Sequence, residues 1–214
     1  MIRIAEIFYS IQGESTFSGL PCVFVRCAGC NLSCSYCDTG YARDPAAGEL
    51  LTVDQVVSRV SSFPVDLVEI TGGEPLLQPD IHRLIEALLA AGKKVLLETN
   101  GSLDIAGLDR RVQVILDVKT PGSGMASKNC MANCQRLDAS RHQLKFVLCG
   151  EEDFRWSCDF IREYLPDSVT ILFSPVVEQF SARRLAELIL KEHLPVRLQL
   201  QIHRLVWPEA ERGK

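Results

Sequence analysis

The chain reads as an α/β protein whose parallel sheet rolls into a barrel or partial barrel. Short apolar runs alternate with helical patterns along its 214 residues, which indicates repeated βαβ units. Polar and glycine-rich elements follow those runs directly, where such sheets place their functional groups. A hydrophobic content of 47% suits one sizeable core, so residues 1–214 are taken as a single domain.

PCVFVRC (21–27) is a β-rich run that enters a cysteine-rich loop. TVDQVVSRVSS (52–62) has a helical period, with Thr52 placed to cap it and Gln55 to complete a capping box. DLVEIT (66–71) is a short strand that ends in Gly72-Gly73. PDIHRLIEALLAAG (79–92) is the clearest helix: Pro79 and Asp80 start it, Leu84, Leu88 and Ala91 share a stripe, and Gly92 stops it. KVLLET (94–99), VQVILDV (112–118) and QLKFVL (143–148) read as buried strands. A helix near 153–164, the strand VTILFSP (169–175), a helix at 181–192 and the strand VRLQLQI (196–202) complete the set. Residues 120–142 form the one long irregular stretch. The cysteine loop, Gly72-Gly73, Asn100, Lys119 and Ser174-Pro175 all lie at strand ends, and so on one rim.

Net charge is −4, the isoelectric point is about 5.6 and no basic block occurs, which argues against a nucleic-acid binder. The N-terminal MIRIAEIFYSIQGE is too polar for a secretory signal, and no apolar run nears membrane-spanning length. A cytoplasmic protein is expected. Nine cysteines, an odd number, then speak for metal binding rather than a disulfide framework.

CAGCNLSCSYCDTG (27–40) concentrates that chemistry. Cys30, Cys34 and Cys37 give C-x3-C-x2-C, three soft ligands for a soft or borderline metal. Structural zinc wants four closed ligands. Cys27, at the end of a strand, and the looser pair Cys130 and Cys134 are the remaining candidates for a fourth. A [4Fe–4S] cluster with one open iron needs only the three; inert buried cysteines are the plain alternative. EITGGEP (69–75) follows a strand, and its adjacent glycines let backbone approach a ligand closely. Glu74 there is suited to an ammonium group, though a plain β-turn would look the same.

The cysteine spacing followed by GGEP resembles the radical S-adenosylmethionine (SAM) superfamily. FYSIQGES (8–15), FVRCAGCNLSCSYCDT (24–39), ITGGEPLLQ (70–78), ETNGS (98–102), DVKTPGSG (117–124) and HRLVWP (203–208) narrow the resemblance to the 7-carboxy-7-deazaguanine synthases. This resemblance implies a (β/α) radical-SAM barrel trimmed relative to a full (β/α)8 barrel. It implies conversion of 6-carboxy-5,6,7,8-tetrahydropterin to 7-carboxy-7-deazaguanine with loss of ammonia, on the 7-deazapurine route to queuosine. The cofactors implied are one [4Fe–4S] cluster, SAM and Mg²⁺. The partners implied are the pterin, an electron donor such as flavodoxin or ferredoxin, and a second copy in a homodimer.

Residue by residue, the resemblance makes Cys30, Cys34 and Cys37 the cluster ligands and Thr39 the Mg²⁺ ligand, a hard oxygen donor that suits that ion. Ile11, Gln12, Gly13 and Glu14 match the segment that reads the pterin edge. Arg26 matches the arginine that meets the substrate carboxylate with a bidentate fork. Thr71 and Pro208 are further substrate contacts, although here EAERGK follows Pro208, where the family often ends. Tyr36, Cys37, Asp38, Gly73, Glu74, Lys119, Ser123, Ser174, Pro175 and Val176 match SAM contacts. The plain alternatives are a loop hydroxyl at Thr39, an ion pair at Arg26, a simple turn at 11–14 and a snorkelling Lys119. The resemblance gives Cys130 and Cys134 no role, and Cys22, Cys149 and Cys158 are expected in the core. Two other readings compete: an activating protein of glycyl-radical enzymes, which typically lacks the QGE and CDT elements, and a zinc-stabilised binding module.

Overall fold

A computed structural model describes residues 1–164, 168–210 and 212–213. The strands are β1 (Ile2–Ile11), β2 (Pro21–Cys27), β3 (Glu49–Leu51), β4 (Leu67–Gly72), β5 (Lys94–Thr99), β6 (Gln113–Val118), β7 (Gln143–Leu148), β8 (Thr170–Pro175) and β9 (Arg197–Leu198). The helices are α1 (Val53–Ser61), α2 (Ile81–Ala90), α3 (Glu151–Tyr164), α4 (Ala182–Lys191) and α5 (Ile202–Val206). All strands join one sheet in the order β3-β1-β2-β4-β5-β6-β7-β8-β9. β1 pairs antiparallel with β2 and β3, and every pair from β2 to β9 is parallel. The two end strands do not pair, so the sheet is a partial barrel, as expected.

Period 2 in the strands divides their side chains between two faces. On the outer face Val23, Val25, Val68, Ile70, Val95, Leu97, Leu116 and Phe146 pack against the apolar stripes of α1 to α4. α1 begins with the expected capping box, Thr52 Oγ1 accepting from Gln55 N at 3.2 Å. On the inner face Cys22, Phe24, Leu67, Leu96 and Ile115 form a small separate cluster that plugs the barrel floor. Each fully buried leucine or phenylalanine here contributes roughly 1.5–3 kcal/mol.

The barrel is trimmed between β5 and β7. Among the described residues no α-helix links β5 to β6 or β6 to β7. The stretch read as irregular, 120–142, holds short 3-10 turns at Pro121–Ser123, Ala126–Lys128 and Met131–Arg136. Asn133, fully buried, ties it to the β5–β6 connection by accepting from Ile105 N at 3.1 Å and donating to Leu103 O at 2.8 Å. Cys134 is buried in this packing; Cys130 is half-buried and donates its N–H to Gly101 O at 2.8 Å. Cys22 and Cys158 lie in the core, whereas Cys149 is half-buried rather than core, its N–H given to Asp153 at 2.9 Å.

The strand expected over 196–202 is corrected: only Arg197–Leu198 pair, and Ile202 opens α5. The pattern of alternation is real but its faces are inverted. Gln199 is buried and Gln201 donates to Glu14 Oε1 at 2.8 Å, while Leu198 and Leu200 are 40% and 38% exposed. The polar face is drawn inward because a charged cleft lies there.

Candidate active site

Above the apolar floor the inner face turns polar. Glu69, Glu98, Asp117 and Lys145 stand on β4, β5, β6 and β7, with Gln12 and Glu14 just after β1. Lys145 Nζ lies 2.6 Å from Glu14 Oε2, 2.5 Å from Glu98 Oε1 and 3.9 Å from Asp117 Oδ2. Thr71 Oγ1 donates to Glu98 Oε2 at 3.0 Å. Burial works against the Glu14 carboxylate, but the Lys145 ammonium outweighs it and holds this group at about 2. Burial, and then the charges of Glu98 and Glu14, push Glu69 well above the usual carboxylate range, which favours its neutral form. Gln12 donates its amide to Glu69 and accepts from Glu14 N at 3.0 Å. Gln12 thus helps to shape the cleft wall that it lines, and Glu69, unforeseen from the sequence, faces the cleft beside it.

The cysteine loop roofs the same cleft, which Cys30, Cys34 and Cys37 all line. It is sutured to several strand ends. Gly29 N donates to Ala42 O at 2.8 Å, Glu74 N to Gly29 O at 2.8 Å, and Ser35 N to Ser123 O at 3.1 Å. Leu32 N and Asn100 Nδ2 approach Cys30 Sγ at 3.5 and 3.6 Å, and Thr39 Oγ1 lies 3.9 Å from Cys37 Sγ. Cys27 is fully buried, and burial raises its thiol to about 12, so it stands apart from the triad, in which Cys30 and Cys34 are half-buried and Cys37 is exposed. Among the described residues no three His, Cys, Asp or Glu side chains converge on a single ion. A cubane cluster asks for less convergence, because each thiolate meets a different iron.

Gly72 and Gly73 show why this turn carries glycine. Gly72 has φ +132°, and a Cβ there would lie 2.2 Å from Cys27 O. A Cβ on Gly73 would lie 2.1 Å from Gly29 O. The strand end thus fits flush against the cysteine loop. Glu74 does not line the cleft: it is fully buried, accepting from Thr99 Oγ1 at 2.8 Å, Leu76 N at 3.0 Å and Asn100 N at 2.7 Å. Its carboxylate holds the turn in shape rather than reaching for an ammonium.

Tyr36, Asp38, Lys119 and Val176 line the cleft; Ser123, Ser174 and Pro175 stand behind it. Lys119 is buried but paired, its Nζ 2.8 Å from Asp117 Oδ2, and Asp117 and Tyr36 outweigh burial to raise it. Tyr36 Oη, Asp117 Oδ1 and Ser174 Oγ are buried with no hydrogen-bond partner among the described residues. Tyr36 and Asp117 line the cleft, and their orphaned atoms there fit a polar ligand that completes them. Ser123 instead bonds Thr120 O at 2.6 Å and bridges the cysteine loop to β6.

Arg26 lines the cleft from β2, with Nε donating to Glu6 Oε1 at 2.9 Å. Ile11, Gly13, Thr71 and Thr39 line it as well. α5 closes the side that the sequence left undescribed: Gln201, His203 and Arg204 line the cleft, and Arg204 bridges Asp38 at 3.7 Å and Glu178 at 3.0 Å. A side chain on Gly13 would strike His203 Nδ1 at 2.2 Å. Pro208 lies outside this cleft, in an adjoining cavity.

Residues 24–122 match the Radical SAM superfamily model. The 7-carboxy-7-deazaguanine synthase of Chlorobaculum tepidum is 45% identical over 99% of this chain and 97% of its own. That of Methanospirillum hungatei is 40% identical over 96% of this chain and 85% of its own. The crystal structure of QueE from Escherichia coli shares the fold, with a TM-score of 0.73 at 20% identity over 92% of this chain and 93% of that one. Identity at this level along almost the full length of both chains, on a cleft built from these cysteines and glycines, means that the chain belongs to the 7-carboxy-7-deazaguanine synthase family of radical SAM enzymes.

Proposed function

We propose that the chain converts 6-carboxy-5,6,7,8-tetrahydropterin to 7-carboxy-7-deazaguanine with release of ammonia, on the way to queuosine. The observation that carries this reading is a single cleft in which the cysteine triad, the glycine strand end, Arg26 and an acid-rich wall face one another. Cys30, Cys34 and Cys37 would hold one [4Fe–4S] cluster, and the N–H groups near Cys30 suit a thiolate ligand. When bound, the cluster and SAM supply radical chemistry by reductive cleavage of the sulfonium. The residues do the rest. Gly73 lets backbone approach SAM; Tyr36, Asp38, Lys119 and Val176 border the space it would fill. Ser123, Ser174 and Pro175 support that wall from behind, and Glu74 fixes the turn.

Glu14 and Glu98 offer acceptors to the donor-rich pyrimidine edge of a pterin; Gln12 holds the backbone of Glu14 and Thr71 holds Glu98 in place. Arg26 keeps its terminal nitrogens for a carboxylate, since Glu6 takes Nε. Thr39, half-buried beside the triad, would offer a hydroxyl to Mg²⁺. The lysine-centred belt holds its charges in a fixed geometry, which avoids reorganisation during reaction. Pro208 would act from the adjoining cavity.

The exposed position of Cys37 and Asp38 suits electron delivery by a flavodoxin or ferredoxin. Leu198, Leu200, Leu205 and Val206 give α5 and its approach an exposed apolar strip, which supports a homodimer. Among the described residues no helix is long and apolar enough to cross a membrane, in keeping with a cytoplasmic enzyme. The test is anaerobic incubation of reduced protein with SAM, Mg²⁺ and the carboxylated pterin, followed by mass spectrometry. A deazaguanine acid and ammonia are expected. SAM cleavage that never alters the pterin would contradict the proposal.

A further inference from the structure

We propose that Glu6 and Tyr41 form a positioning pair that locks the Arg26 guanidinium to the Thr39 loop and so sets the grip on the substrate's carboxylate. The inference rests on the reading of Arg26 as the group that meets that carboxylate.

Glu6 and Arg26 face each other in the antiparallel register of β1 and β2. One oxygen, Glu6 Oε1, accepts from Arg26 Nε at 2.9 Å and from Tyr41 Oη at 2.5 Å. The two charged side chains are only 14% and 16% exposed, so the contact is better insulated than a surface ion pair. Phe8 lies under the guanidinium, 5.7 Å from ring centroid to Cζ, and Arg212 covers the Tyr41 ring at 4.2 Å. Tyr41 sits in the 3-10 turn Gly40–Ala42, which starts directly after Thr39. A single carboxylate oxygen therefore ties the arginine on β2 to the turn that carries the threonine hydroxyl.

Neither Glu6 nor Tyr41 lines the main cleft; both line the adjoining cavity, and Arg26, Asp38, Thr39, His203 and Arg204 line both. Of these, the pair touches Arg26 directly and is joined to Thr39 through the turn that carries Tyr41, so its influence on substrate is read at those two residues. A guanidinium held at Nε retains its terminal fork, whose value to a carboxylate depends on planar, bidentate alignment. Letting the fork swing keeps the charge but loses the alignment. This marks the pair as specific for the acidic end of the ligand and indifferent to the rest.

The experiment compares parent, Tyr41→Phe and Glu6→Gln enzymes, alone and combined with Arg26→Lys. Substrates are the carboxylated pterin and an analogue with a neutral amide in place of the carboxylate. Tyr41→Phe should raise KM for the acid about fivefold, the worth of one net hydrogen bond. It should raise the Mg²⁺ concentration for half-maximal rate, change kcat and the amide's KM by less than about twofold, and leave iron content as in the parent. Glu6→Gln should cost about tenfold or more on the acid, because the carboxylate charge that strengthens both bonds to Oε1 is removed. On an Arg26→Lys background, Tyr41→Phe should add less than about twofold, since both act through one fork. If Arg26→Lys discriminates acid from amide but Tyr41→Phe does not, or if their losses multiply in full, the pair merely staples β1 to β2 and the proposal is overturned. If Arg26→Lys itself weakens both compounds equally, the reading of Arg26 falls, and the positioning role falls with it.

Discussion

Replacing Lys145 by methionine tests the charged belt most sharply. The change keeps the length and removes one ammonium that contacts Glu14 at 2.6 Å and Glu98 at 2.5 Å, with Asp117 at 3.9 Å. The side chain is 6% exposed, so water cannot replace the lost charge. Removing one partner of a buried pair costs about 3–5 kcal/mol, because the other charge stays buried and uncompensated. For a chain of this size that is a fall in Tm of about 6–20 °C. The pH dependence has a definite sign. In the parent, Glu14 is held at about 2 against an ordinary 4.5, so its contribution is fully present above 4.5 and is lost as pH falls through about 2. In Lys145→Met only the Gln201 hydrogen bond and the His203 charge still oppose burial, so Glu14 rises and folding loses the stability its charged form supplied. The stability gap between variant and parent should be widest near about pH 8 and narrow toward about pH 5, as the carboxyl group takes up its proton. The assay is thermal unfolding at a fixed scan rate across that range, on anaerobic protein of matched iron content. A fall of less than about 2 °C, or a gap that does not change with pH, would refute the reasoning.

Further outcomes follow from the cysteine loop and its neighbours. Thr39→Ala should leave iron and SAM cleavage largely in place but shift the Mg²⁺ dependence of turnover; an unchanged rate-against-Mg²⁺ curve would make Thr39 a structural hydroxyl only. Gly73→Ala places a Cβ 2.1 Å from Gly29 O and should weaken SAM binding about tenfold or more, read by equilibrium dialysis. Glu74→Gln should lower stability by about 1–3 kcal/mol, since the amide cannot accept all of the bonds that the carboxylate takes from Thr99, Leu76 and Asn100. Its effect on SAM affinity should be the smaller one; the reverse order would restore Glu74 as a direct ligand contact.

The frame of this fold could be read from the chain because each strand and helix announces itself locally. The periods of 53–61 and 81–90, the capping box at Thr52 and the apolar runs are all signals within about ten residues. The cysteine triad is contiguous, so its chemistry was visible too. The charged belt was not. Glu69, Glu98, Asp117 and Lys145 each sit singly in an apolar strand, and only the parallel register brings them together. The available signal was a charged side chain on the inner face of four successive strands. Arg26 was placed correctly at a strand end, but its partner Glu6 becomes visible only through the antiparallel register of β1 and β2. The last segment misled for the opposite reason. VRLQLQI alternates well, yet its glutamines face the charged cleft and its leucines face outward, because charge in the cleft outweighs local apolar patterning.

The account stands or falls on the metal held by the cysteine loop, and iron and zinc content of anaerobically purified protein measures it directly. The parent should be brown, with about four irons per chain and little zinc. Cys34→Ala should lose that iron, while Cys27→Ala, altered at a fully buried thiol, should keep it. Colourless protein with about one zinc per chain, or a Cys34→Ala variant that retains full iron, would contradict the account.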